Sequence, residues 1–149
     1  MTISIPVQLL NERAIVPQYA TFGDACFDLH ACIDKPLTIF PGRQALIPTG
    51  LAFAVPHGYR MDIYARSGNA AKFGIDLGNC VGKIDAGYRG EVKVLLRNNW
   101  LEGANDFVVT PGMRIAQAEI NPVLEVDFQV SDHLPQSQRG EGGFGSTGT

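Results

Sequence analysis

The segment Gly82-Lys83-Ile84-Asp85-Ala86-Gly87-Tyr88-Arg89-Gly90 sets an acid and an aromatic close together between two apolar stretches. It reads as a hairpin with Ala86-Gly87 near its tip. A carboxylate presented there can take a proton from a water, and a flat ring beside it can lie against a base or sugar. Turns favour Asp and Gly for conformational reasons alone, so an ordinary turn is the competing reading. A second candidate is Arg66-Ser67-Gly68, which gathers a cation, a hydroxyl and a bare backbone at the start of a short helix. Outward N–H groups there suit an anion, although Ser67 as a simple N-cap explains the tripeptide equally well. The third is the tail from Arg139 to Thr149, where Arg139, Phe144, Ser146 and Thr147 are spread among glycines. Such a segment is mobile alone but carries what is needed to close over a phosphorylated ligand.

These residues need a scaffold, and 149 residues suffice for one domain. Hydrophobic residues make up 45%, enough for a contiguous core. With 17 glycines and 9 prolines, no stretch free of both exceeds 12 residues, which excludes long helices. Alternation of apolar and polar residues predicts strands at Tyr59 to Tyr64, Glu91 to Arg97 and Arg114 to Ile120. It is clearest at Leu124, Val126, Phe128 and Val130 in the stretch from Val123 to Leu134. Many short strands bounded by Gly and Pro predict an all-β sandwich, barrel or jelly roll. Only Ser67 to Gly74 breaks the pattern, with a capping Ser, two alanines and a closing Gly, and predicts one short helix. The reading therefore divides the chain into a β domain over residues 1–138 and a flexible glycine-rich segment over 139–149.

Twelve basic residues against fifteen acidic ones leave a net charge of −3, which offers no electrostatic grip on nucleic acid or a lipid surface. Neither a leader-like N-terminus nor a long apolar run is apparent, and three cysteines without metal-type spacing suggest reduced thiols. A cytoplasmic protein is expected. Cys26, Asp28, His30 and Cys32 would share one strand face, but no second ligand cluster completes a metal site. His57 and His133 sit in turn-like contexts and receive no chemistry.

In combination and order, five segments resemble the trimeric dUTPase family, of bacterial or phage type. They are Asp24-Ala25-Cys26-Phe27-Asp28-Leu29, Arg66-Ser67-Gly68, Asn79 with Gly82 to Gly90, Gly112-Met113-Arg114-Ile115-Ala116-Gln117, and the tail from Arg139. The resemblance spans essentially the whole chain. It implies a jelly-roll-like β subunit, a homotrimer with active sites shared between subunits, and hydrolysis of dUTP to dUMP and pyrophosphate.

The same resemblance implies the roles. Asp85 is the base that activates a water for in-line attack on the α-phosphorus. One subunit supplies Asp28, Arg66, Ser67, Gly68 and Gln117, and a second supplies Asn79, Lys83, Ile84 and Tyr88 around uracil and deoxyribose. The third lends its tail, with Arg139 at the γ-phosphate, Phe144 over the uracil, and Gly145, Ser146 and Thr147 at the terminal phosphates. Lys93 aligns with a substrate-contacting position. Mg²⁺ is held by triphosphate oxygens and waters rather than by the protein, and Asp28 is an outer-sphere or structural acid.

The sequence departs from the family pattern at Cys26-Phe27, Ala65, Asn69 and Gly87, none of which removes a reacting group. Two rival readings share the fold: a dCTP deaminase, expected to use a Glu, and a regulatory nucleotide-binding module. Asp85 within the hairpin, together with Arg139 and the tail, favours the hydrolase.

Overall fold

The computed structural model describes residues 2–101 and 105–143. The expectations for Phe144, Gly145, Ser146 and Thr147 lie outside the described residues. The β-rich architecture is as expected: the described residues form eleven strands and one helix, with every strand pair antiparallel. In chain order the strands are β1 (Val7–Leu9), β2 (Phe27–His30), β3 (Leu37–Ile39), β4 (Gln44–Pro48), β5 (Leu51–Phe53) and β6 (Tyr59–Tyr64). The helix α1 (Ser67–Phe73) follows, then β7 (Ile75–Leu77), β8 (Gly82–Ile84), β9 (Lys93–Asn98), β10 (Phe107–Val109) and β11 (Arg114–Pro122). A four-stranded sheet runs β2-β11-β6-β8 and a three-stranded sheet β4-β9-β7, with the pairs β1-β5 and β10-β3 beside them. The arrangement is jelly-roll-like.

Period-two side-chain alternation fills the interior. Met61 and Ile63 of β6, Ala116 and Ala118 of β11, and Val94 and Leu96 of β9 are buried with Leu29, Ile47, Leu51 and Ile75 in one apolar cluster. The opposite face of the four-stranded sheet is polar, and one of its side chains, Asp62, is nevertheless only 1% exposed. Asp62 accepts hydrogen bonds from Arg60 Nε at 3.0 Å, Lys83 Nζ at 2.9 Å and Asn121 Nδ2 at 2.9 Å. Burial alone would raise this carboxyl, but the three donors and the Lys83 charge outweigh it and hold it down at about 2.

The helix lies where the sequence predicts it, but its cap differs. Arg66 rather than Ser67 occupies the N-cap, and no side chain caps the helix. Its carbonyl accepts the N–H groups of Asn69 and Ala70, while its guanidinium is drawn aside to Asp28. Gly74 ends the helix in the left-handed region, φ 64°, where an L side chain is strained. The Trp100 indole also lies over it, and a Cβ there would come within 2.1 Å of the ring.

Two expectations are corrected. The Gly82–Gly90 segment turns at Ala86-Gly87, but it is not a two-stranded hairpin: β8 pairs with β6, whereas β9 pairs with β4 and β7. The turn is a crossover between two sheets. The alternating stretch after Pro122 forms no strand. Its last backbone tie is Val123 N to Gly58 O at 2.8 Å, beyond which Leu124, Val126, Phe128 and Val130 are exposed. A strand requires a partner edge, and among the described residues this chain supplies none. Less drastically, the strand expected from Glu91 begins at Lys93, and that expected to end at Ile120 runs on to Pro122.

Candidate active site

The first group of site residues gathers where β2, β11 and the start of α1 meet. Asp28 of β2 accepts Arg66 Nε on Oδ1 at 2.9 Å and Arg114 Nη1 on Oδ2 at 3.2 Å, so both carboxylate oxygens are occupied by guanidinium groups. Gln117, opposite Asp28 in β11, donates its Nε2 to the carbonyl of Ala65 at 2.9 Å and fixes the corner that delivers Arg66. Ser67 and Gly68 are exposed, and nothing lies within 4 Å of where a Gly68 side chain would begin. As first-turn residues their N–H groups have no acceptor within the helix. The result is an open, cationic corner suited to an anion.

Arg114 receives no role in the sequence reading, and strand parity explains why. Arg114 and Gln117 would face opposite sides of a regular strand, but a register shift between Arg114 and Ala116 brings both to the Asp28 side. His30, opposite Arg114, stands close by with its Nδ1 buried and unpartnered. Burial lowers the His30 pKa; Asp28 opposes that effect, while Arg114 and Arg66 add to it.

The second group rides on the crossover turn. Tyr88 N–H donates to the Asp85 carbonyl at 3.0 Å, closing the turn, and the Asp85 side chain is exposed. The Tyr88 hydroxyl donates to the Glu91 carbonyl at 3.0 Å. Its ring covers Gly90, where a Cβ would come within 2.5 Å of the Tyr88 oxygen, so only glycine leaves the ring in place. Asn79 precedes Cys80, whose φ of 63° and the Val81 N to Asn79 O bond of 2.7 Å form a γ-turn, a strained geometry for a side-chain-bearing residue. Ile84 pairs with Met61 at the outer edge of the four-stranded sheet. The Lys83 ammonium is engaged by Asp62, and Lys93 lies 3.5 Å from Glu91.

These two groups do not meet within one chain. Ile84 stands opposite Met61 near the start of β6, whereas Arg66 follows the end of that six-residue strand. At about 3.3 Å per residue, Arg66 and Asp85 are held roughly 20 Å apart along the sheet. In the tail, Arg139 Nε donates to the Gly142 carbonyl at 2.7 Å in a local turn. No cluster of three His, Cys, Asp or Glu side chains suited to a metal occurs among the described residues.

Comparison with known proteins follows the same lines. Residues 12–148 match the dUTPase family model. A deoxyuridine 5′-triphosphate nucleotidohydrolase of Burkholderia ambifaria (strain MC40-6) is 45% identical over 149 residues, with 99% of each chain covered. A dUTPase variant of Staphylococcus bacteriophage 80alpha, solved with dUpNHpp, superposes with a TM-score of 0.86 at 26% identity over 99% of this chain and 100% of that one. A dUTPase variant of phage phi11 of S. aureus, described as coordinating a structural Mg(II) ion, shares the fold with a TM-score of 0.79 at 24% identity, covering 88% and 98% of the two chains. A jelly-roll-like chain with an anion corner and an acid-bearing turn is thus placed within a class of nucleotide hydrolases. The chain belongs to the dUTPase family.

Proposed function

We propose that this chain hydrolyses dUTP to dUMP and pyrophosphate, which limits uracil entry into DNA and supplies dUMP for thymidylate synthesis. The observation that carries this reading is the presentation of Asp85 and Tyr88 on one turn braced from behind, an exposed carboxylate beside a fixed ring. Asp85 accepts a proton from a water as that water's oxygen bonds to the α-phosphorus. The bond from phosphorus to the oxygen leading to the β-phosphate breaks in line, and pyrophosphate departs with that oxygen. Arg66, oriented by Asp28, binds phosphate oxygens alongside the Ser67 and Gly68 groups.

Base selection falls to Asn79 and the backbone of Lys83 and Ile84. Support comes from topology: β8 is the edge strand of its sheet, so its outward N–H and C=O groups are available to a uracil edge. An amine at position 4 would leave a donor facing a donor, and a thymine methyl would meet the strand. Tyr88 closes on the sugar and excludes a 2′-hydroxyl. Lys93 is assigned a substrate contact, reached on release from Glu91.

The separation of Arg66 from Asp85 supports sites completed between copies, in a homotrimer whose tails, residues 139–149, close the sites with Arg139, Phe144, Gly145, Ser146 and Thr147. Residues 1–138 form the β domain. Mg²⁺ travels with the substrate: Asp28 already has a guanidinium on each oxygen, so the chain holds no ion through it, and a bound ion would spread the triphosphate charge. No described helix is long and apolar enough to cross a membrane, and the protein is assigned to the cytoplasm.

The test is pyrophosphate release from dUTP, UTP and the four standard dNTPs, with and without Mg²⁺. Preference for dUTP is expected; ammonia release from dCTP or equal turnover of all six overturns the reading. Asp85→Asn should cut kcat about 10³-fold while the protein still binds dUpNHpp. Unchanged turnover removes Asp85 as the base.

A further inference from the structure

The crossover turn is held by a strut built from Thr49, Gly50, Leu51, Glu91 and Val92. Val92 is bonded through both backbone groups: its N–H donates to the Leu51 carbonyl at 2.8 Å and its carbonyl accepts the Thr49 hydroxyl at 2.6 Å. One residue earlier, Glu91 Oε1 accepts the Gly50 N–H at 2.9 Å, and the Glu91 carbonyl accepts the Tyr88 hydroxyl. Behind this lies the core. Thr49, Leu51 and Val92 are each 1% exposed. Gly50 sits at φ 69° with Cys32 Sγ 2.8 Å from where its Cβ would stand, and Cys32 N–H donates to the Pro48 carbonyl at 2.8 Å. The regular β4-β9 ladder ends at Pro48 opposite Lys93, and beyond it the Thr49 hydroxyl and the Glu91 carboxylate join the single Val92 to Leu51 backbone bond in continuing the connection.

Resting on the functional reading above, we propose that Glu91 is a positioning residue for sugar selection. Its carboxylate fixes its own backbone to Gly50, that backbone fixes the Tyr88 hydroxyl, and the Tyr88 ring thereby stands where a 2′-hydroxyl would have to go. Gly90 leaves room for the ring but does nothing to hold it, so the ring's placement depends on the hydroxyl tie and on whatever keeps residue 91 still. Glu91 touches no reacting atom. Its loss therefore acts on discrimination between dUTP and UTP more than on kcat for dUTP.

Five proteins test this: wild type, Glu91→Ala, Glu91→Gln, Tyr88→Phe and the Glu91→Ala/Tyr88→Phe double variant, each assayed for kcat/KM on dUTP and UTP, with hydrogen exchange measured over residues 86–92. Glu91→Ala should lower the dUTP-to-UTP ratio about tenfold, mainly through KM, with faster exchange at Tyr88 and Gly90. Glu91→Gln keeps an oxygen acceptor for Gly50 and should recover most of the ratio. Tyr88→Phe keeps the ring but not the tie and should reproduce the alanine effect, and the Glu91→Ala/Tyr88→Phe double variant should lose little more than either alone. A Glu91→Ala protein with wild-type discrimination, a Gln variant as poor as Ala, or additive losses in the double variant overturns the proposal. A wild-type chain inert toward dUTP overturns the functional reading and this role with it. A wild type that cleaves dUTP beside an unaltered Glu91→Ala preference overturns this inference alone.

Discussion

Asp28 and Arg66, 38 positions apart in sequence, are joined by a bond of 2.9 Å from Arg66 Nε to Asp28 Oδ1, and Arg114 occupies the other oxygen. The carboxylate is thus a bracket between two cations rather than an open ligand. Removing it leaves two like charges side by side with nothing to orient them. Asp28→Ala should lower kcat/KM for dUTP by ten- to a hundredfold, chiefly through KM, because it misplaces Arg66, proposed above to bind phosphate, and small misplacements are costly. Arg114→Ala, at a half-exposed position, should cost only a few-fold. Steady-state kinetics on both variants checks the order of the two effects.

Asp62 should govern acid stability. Its carboxyl is held at about 2 in the folded protein, below the usual value near 3.9 of an unfolded chain. A depressed carboxyl contributes stability that is fully present above about pH 4 and lost as pH falls toward 2, here roughly 2 kcal/mol. Urea unfolding of wild type and Asp62→Asn across pH 2 to 7 should show a gap that narrows below pH 4. A gap independent of pH rules out this role.

The apolar arm after Pro122 should be an assembly element. Phe128 is 88% exposed and Val130 fully so, apolar surface that a lone chain leaves in water. The double variant Val126→Asp/Phe128→Asp should sediment as a smaller species than wild type and lose dUTP turnover together with assembly. Wild-type sedimentation in that variant detaches the arm from the interface.

Gly74 should tolerate no side chain. Its left-handed backbone costs a non-glycine residue about 1–2 kcal/mol, and the Trp100 ring blocks the Cβ in addition. Gly74→Ala should lower stability by about 2 kcal/mol or more, a fall in Tm of roughly 4–8 °C by thermal unfolding.

Local chemistry made much of this legible in advance. The β6 strand was readable because Tyr59 to Tyr64 alternates between turn signals, and the helix because alanines and a closing Gly interrupt a β sequence. Arg66 and Asp85 stood out only in combination, because a helix cap or an ordinary turn accounts for either motif alone, whereas five segments in that order resemble one family. Arg114 was hidden by a register shift that reverses strand parity, a feature set by how β11 meets β2 rather than by its own pattern. Glu91 was hidden for a different reason. Its partner is a backbone N–H 41 positions away, and backbone groups leave no trace in side-chain patterns.

Residue types and short-range periodicity therefore determined the β character and the short helix at Ser67–Phe73, since these depend on neighbours within a turn or a strand. Tertiary structure alone decided that β8 and β9 part into different sheets, that Asp28 clasps two arginines, and that Arg66 and Asp85 stand at opposite ends of β6. Strand pairing is a choice among edges distant in sequence. It is made by closing the core around Met61, Leu96 and Ile115, and no local pattern encodes which edge is chosen.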